Sequence, residues 1–288
     1  AIGGMGAITQ AMLAEVRARS VIVETDAAVA EVSVSNGAAS GVVLEDGRQV
    51  SARAVVAKVH PQLLFTRLVD DAYLDSDFVQ RIRRYRSGSG SFRINVALSE
   101  LPRFSAAPAD ESTQILKSGI VIAPSLKYME QAFFDARTSG YARHPIVEML
   151  IPSTVDDSLA PPSAHVTSLF CQQFAPQLPA PATWDELRDE ATQAIVETVT
   201  AHAPNFRDSI VAMQVHSPLD LERKFGLIGG DIFHGALSLD QLFSARPVLG
   251  NAGYKAPLPG LYRGGSGTHP GGGVTGAPGH NAASVITR

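Results

Sequence analysis

Between a short strand-like run, Gly260-Leu261-Tyr262, and a helix-like run, Asn281 to Ile286, the chain carries the string G-S-G-T-H-P-G-G-G-V-T-G, residues 265–276. Glycine has no Cβ. A strand that passes through glycines into a helix therefore lets backbone N–H groups and the positive helix end come close to an anionic or polar ligand. The alternative is a flexible surface loop, but glycine-dense loops seldom carry Thr-His-Pro at their centre. Gly271, Gly273 and Gly276 also satisfy G-x-G-x-x-G formally. That match is not a Rossmann fingerprint, because no strand immediately precedes it and only 12 residues follow, too few for a βαβ unit with its ribose-binding acid.

The start of the chain has a related grammar. Gly3, Gly4 and Gly6 lead into a helix-period run, Ala7 to Arg19, with Ile8, Met12, Leu13 and Val16 on one face. Val21 to Glu24 reads as a short strand. Ala28 to Val34 alternates up to Asn36-Gly37, a strong hairpin signal, with Gly41 to Leu44 as the return strand. Asp46-Gly47 turns the chain again before Arg48 to Ser51, and Ala54 to Ala57 is a small apolar strand, suited to a parallel position, ending in His60-Pro61.

From about 62 to 250 the texture is α+β. Helical patterns at Asp77 to Tyr85, Leu126 to Arg137 and Trp184 to His202 alternate with strand-like runs. The strands are expected at Ser91 to Leu98, Gly119 to Ala123, Ile146 to Ile151, His165 to Phe174 and Ile210 to Val215. A strand-rich insert thus lies between two glycine-rich, helix-entering segments, and those segments are expected to meet in space.

Charge and cysteine count remove several function classes. A net charge of -4 on 288 residues gives no basic field for neutralising phosphates, so nucleic acid is set aside as a partner. Cys171 is the single cysteine, so neither an intrachain disulfide nor a dithiol redox pair exists in this chain. No run approaches the roughly 18 apolar residues of a membrane span; peripheral membrane contact stays open. Histidine spacing gives no metal motif, and no metal is expected. Arg81, Arg83, Arg84 and Arg86 read as favourable charge at a helix C-terminus or, alternatively, as a contact for anionic lipid or a substrate carboxylate.

The tail resembles the C-terminal flavin-binding segment of the phytoene desaturase-like FAD-dependent oxidoreductases, relatives of the amine oxidases. The same resemblance runs through G-G-M-G-A-I-T (Gly3 to Thr9), G-V-V-L-E-D-G (Gly41 to Gly47) and P-I-V-E-M-L-I-P-S (Pro145 to Ser153). It continues in D-L-E-R-K-F-G-L-I-G-G-D-I-F-H-G (Asp220 to Gly235) and S-L-D-Q-L-F-S-A-R-P (Ser238 to Pro247). It implies an α+β architecture: the α/β flavin-binding fold of that type with an inserted mixed-sheet substrate domain. The family's opening strand-glycine-helix Rossmann unit has no counterpart here, and residue 1 is Ala rather than Met. The chain is therefore expected to be the C-terminal part of a longer protein, with 1–61 and 251–288 from the FAD-binding domain and 62–250 as the substrate domain.

By the same resemblance, the backbone of Gly265, Ser266, Gly273, Val274 and Thr275 would line the ribityl chain and pyrimidine side of FAD. Gly267, Thr268, His269 and Gly272 belong to the same cofactor-binding segment, and Val29 would touch the adenine through its backbone. His269 and His234 are the catalytic candidates. The expected function is hydride transfer to flavin from a C–H bond of a largely apolar small molecule, giving desaturation or oxidation. The competing reading is a non-catalytic binding or regulatory protein that uses the same cavity for an apolar ligand or a protein partner. With the Rossmann unit missing, residues 1–288 by themselves are expected to retain little FAD. The expected compartment is the cytoplasm, or the mitochondrion in a eukaryote.

Overall fold

The computed structural model describes residues 2–88, 90–108 and 112–288. Among them ten strands run in chain order: β1 Val29–Ser35, β2 Ala38–Leu44, β3 Gln49–Ser51, β4 Val55–Ala57, β5 Ser91–Leu98, β6 Ile120–Ile122, β7 Tyr141–Leu150, β8 His165–Phe174, β9 Ile210–His216 and β10 Leu261–Arg263. The chain divides into two compact units, Ala1–Val23 with Gly90–Lys224, and Glu24–Ser89 with Phe225–Arg288. No helix among the described residues is long and apolar enough to cross a membrane.

The first unit is built on an antiparallel sheet of order β6-β7-β8-β5-β9. Alternation along β5 sends Phe92, Ile94, Val96 and Leu98 to one face, where they join Leu169 and Cys171 of β8 and Val147 and Met149 of β7 in the core. The helix Trp184–His202 contributes Ala191, Ile195, Val196 and Val199 to the same core. Its start is set by a capping box: the Glu186 carboxylate accepts the Thr183 N–H at 3.1 Å. Burial removes Cys171 from solvent entirely and pushes its thiol well above the ordinary range, which leaves it inert.

The helix Met5–Ala18 also belongs to this unit, although none of its residues is buried. Gly3 (φ 87°) and Gly4 (φ 74°) make the turn into it, and the Gly3 N–H donates to Asp156 Oδ2 at 2.7 Å. Val21 to Glu24, expected as a strand, is irregular and exposed; β-branched residues favour a strand only where a neighbour pairs with them. β7 starts five residues before the expected Ile146, because the register shifts between Tyr141 and Ile146, around Pro145, and pairing resumes beyond the irregularity.

In the second unit β1, β2 and β3 form the meander. Asn36 (φ 51°) and Gly37 (φ 74°) make its first turn, the left-handed pair that a two-residue hairpin requires. β4 pairs in parallel with β10, Leu261 opposite Val55 and Arg263 opposite Ala57. Val32, Leu64, Phe65, Phe78, Ile82, Val248 and Leu261 form one core. Residues 62–88 and 225–250 therefore group with the meander and the glycine-rich tail, whereas the sequence-based boundaries put them in the substrate domain. Residues 1–23, assigned from sequence to the FAD-binding domain, group instead with the five-stranded sheet. The arginine run is largely ion-paired: Arg81 with Asp77, Arg83 with Asp71 and Arg86 with Asp240, each at 2.6 Å.

Candidate functional site

All the sequence-selected residues lie in the second unit. β10 ends at Arg263, and the chain then runs close against the loop that follows β4. A Cβ on Gly265 would stand 2.6 Å from the Lys58 carbonyl oxygen, and one on Gly267 would stand 2.7 Å from Pro61 Cδ. These two glycines are thus required by chain packing. Thr268 is buried and closes the turn, its hydroxyl donating to the Gly265 carbonyl at 2.6 Å.

The fully buried Arg246 holds this segment. Its guanidinium donates to the Ser266 carbonyl from Nε at 3.2 Å and Nη2 at 2.9 Å, to Phe233 O at 2.7 Å and to Gln241 O at 3.3 Å. One side chain thereby ties the glycine string to the loop that carries His234. Further along, the Tyr254 hydroxyl donates to the His269 carbonyl at 2.7 Å and accepts from Asn281 Nδ2 at 2.8 Å. That connection fixes the start of the helix Ala277–Ile286.

From Gly271 to Gly276 the character changes. Among the described residues no intramolecular hydrogen bond uses these backbone N–H groups, and Gly272 to Gly276 are exposed, Val274 at 84% with φ 56°. Unpaired donors leading into a helix N-terminus are the arrangement the glycine string predicts. The helix starts at Ala277, four residues before the helix-like run Asn281 to Ile286 read from the sequence.

Beside this segment stand two histidines. The rings of His60 and His234 are 5.8 Å apart, and a Cβ on Gly267 would stand 3.6 Å from His234 Cβ. His60 Nδ1 accepts the Gln62 N–H at 3.1 Å, so its proton sits on Nε2 and points at Ser87 Oγ, 2.7 Å away. Burial, followed by the charges of His234 and Arg246, pushes its pKa down to about 3. With its donor facing the hydroxyl, His60 cannot act as the base of a serine nucleophile. Burial also lowers the His234 pKa, opposed by Asp231 and by a hydrogen bond with the Val59 backbone. His234 Nδ1 is buried and has no partner among the described residues. The buried Asp231 carboxylate accepts the N–H groups of Gly88 and Phe233 at 2.8 Å and of Gly235 at 3.1 Å. It holds the backbone conformation on which His234 sits.

His269 packs against Phe243, ring centroids 5.9 Å apart, and no described contact joins it to His234. Val29 pairs with Leu44 in the meander, and no described contact brings it to residues 265–276. Sequence reasoning missed His60, Asp231 and Arg246. The signals on offer were the His60-Pro61 pair closing β4 and the runs Asp220 to Gly235 and Ser238 to Pro247, which contain Asp231 and Arg246. Among the described residues no three histidine, cysteine, aspartate or glutamate side chains stand close enough to hold a metal ion.

No family model matches the chain. It is 42% identical to pyridine nucleotide-disulfide oxidoreductase domain-containing protein 2 of Mus musculus across 99% of its own length and 50% of that protein. It is 24% identical to a lycopene-forming phytoene desaturase of Pseudescherichia vulneris across 95% of this chain and 52% of that one. A crystal structure of an oxidoreductase from Methanosarcina mazei covers 100% of this chain with 55% of its own, at TM-score 0.65 and 17% identity. A putrescine oxidase variant redesigned in its cofactor binding covers 100% of this chain with 53% of its own, at TM-score 0.58 and 15% identity. The chain thus shares its mixed helix-and-sheet fold with these two solved oxidoreductases. In sequence the chain is a relative of pyridine nucleotide-disulfide oxidoreductase domain-containing protein 2, and it spans about half the length of the curated relatives it matches.

Proposed function

We propose that this chain supplies part of the flavin site of an FAD-dependent oxidoreductase that desaturates or otherwise oxidises a largely apolar substrate. The observation that carries this reading is the run of backbone N–H groups from Gly271 to Gly276 that no described intramolecular hydrogen bond uses, exposed from Gly272 onward and ending at the start of a ten-residue helix. Small residues admit close approach, and the helix end favours oxygen atoms that carry negative charge, so these residues fit the polar side of a flavin nucleotide. Bound there, FAD would supply the hydride acceptor.

The chain's own part is positioning. Gly271 to Gly276 would donate hydrogen bonds to the cofactor, and Arg246 would keep that segment in place through Ser266. The orphaned His234 Nδ1 is an acceptor that could take a proton from substrate or hold one on a bound water. Its lowered pKa keeps the ring neutral and ready to accept. The relatives' names, an oxidoreductase domain-containing protein and a phytoene desaturase, support oxidation over hydrolysis.

Flavin absorbance at about 450 nm tests the reading, measured on the natural protein at whatever length the gene encodes and bleached by a reductant. A protein that purifies colourless and takes up no FAD would sink it in favour of the non-catalytic binding role. Residues 1–288 alone are expected to hold FAD weakly.

A further inference from the structure

The first unit contains a groove of about 540 Å³ that none of the residues discussed as the flavin site lines. Its walls are mostly apolar, formed by Met5, Leu150, Val155, Leu159 and Val166. Met5, Leu150 and Val155 are each more than half exposed, an unusual concentration for one surface hollow. Polar groups are few. Asn95 and Ser168 lie on it from the sheet, and among the described residues their side chains make long contacts of 3.5 Å to Gln214 and 3.4 Å to Arg93. A ligand with one polar end could displace both contacts at small cost.

Two charged side chains complete the lining, Lys117 and Asp156. Asp156 is already committed: its carboxylate accepts the Gly3 N–H at 2.7 Å and the Ser158 N–H and hydroxyl at 3.1 and 2.6 Å. Lys117 is exposed and makes no ion pair among the described residues. The groove therefore offers an apolar bed with one cation that has no ion-pair partner among the described residues. Its volume falls within the roughly 300–1,000 Å³ of small-molecule sites, which are likewise apolar with a few placed polar groups.

We propose that this groove binds a single-chain amphiphile, an unbranched acyl or comparable hydrocarbon chain that ends in a carboxylate, with the carboxylate at Lys117. The chain buries Leu150, Val155 and Met5, and the carboxylate pairs with Lys117. A wholly apolar ligand would leave Lys117 unused, and a cationic one would be repelled by it. The inference stands on the groove alone and does not rest on the flavin reading.

The test uses residues 1–288 without added flavin and titrates them with the fluorescent polyene cis-parinaric acid and, separately, with its methyl ester. Saturable binding of the acid is expected, with the ester weaker by about fivefold, the scale of one exposed ion pair. Lys117→Glu should weaken the acid by at least that much and leave the ester unchanged. Val155→Glu should weaken both, and Lys127→Glu, on the helix Leu126–Ser139, neither. Absence of saturable binding overturns the proposal, as do equal affinities for acid and ester. If Val155→Glu instead changes the sedimentation coefficient while the probe never binds, a second copy covers the groove and the proposal fails. Should a variant misfold, the acid and ester comparison on the unaltered chain decides.

Discussion

Arg246 and Ser266 are joined twice, Nε and Nη2 of the guanidinium both donating to the one carbonyl oxygen at 3.2 and 2.9 Å. The contact is buried and no carboxylate takes part in it, so the arginine acts as a clamp on backbone. Arg246→Met would leave the carbonyls of Ser266, Phe233 and Gln241 without those donors. We expect a loss of about 1–3 kcal/mol, the scale for leaving buried carbonyls unsatisfied, read as a lower urea midpoint. Arg246→Lys should not restore it, since a single ammonium cannot span the same acceptors.

The two halves of the glycine string should respond differently. Gly265→Ala drives a methyl group against the Lys58 carbonyl and should cost about 1–3 kcal/mol of stability. Val274→Asp, at an 84% exposed position, should leave the melting curve within about 0.5 kcal/mol. In a flavin-binding form of the protein it should nevertheless weaken FAD uptake, because it places negative charge where the free N–H groups await an anion. An unchanged FAD titration would remove Gly271 to Gly276 from the cofactor site.

Acid should destabilise the second unit earlier than its carboxylates alone would allow. The folded pKa of His60 is depressed to about 3 from 6.5, so the unfolded chain takes up the proton first. Its contribution is fully present above pH 6.5 and is lost as pH falls toward 3, at about 1.4 kcal/mol per pH unit. His234 adds in the same direction. Urea midpoints at several pH values between 7.5 and about 4.5, for the unaltered chain and His60→Gln, would show a steeper fall in the former.

Asp156→Ala should free the Gly3 N–H and loosen the entry to the helix Met5–Ala18. Amide exchange in that helix is expected to quicken while the sheet of the first unit keeps its protection. The helix buries none of its own residues, so little else holds its first turn.

Elements with a complete local code were legible in the sequence. β5 and β8 follow from alternation to the residue, and the helix Trp184–His202 follows from its period. Val21 to Glu24 shows the limit of propensity, since a β-branched run needs a partner strand that the sequence does not announce. Unit membership was illegible for a related reason: Phe65 and Phe78 belong with Val32 and Leu261 only through contacts made far along the chain. In the site, the glycine string was visible because glycine density is itself a signal. Arg246, Asp231 and His60 were not, because each acts on backbone groups or neighbouring side chains that carry no residue-type signature.

The pairing of β4 with β10 has a consequence for the order of events on the ribosome. Residues 55–57 leave the exit tunnel early and must wait for 261–263, with the whole five-stranded sheet emerging in between. The first unit has all its strands in hand well before the second can close, so the waiting apolar residues of the second are exposed longest. A chain halted before residue 260 should therefore carry a folded first unit and an open, aggregation-prone second, which makes the arrival of β10 the step that closes the second unit.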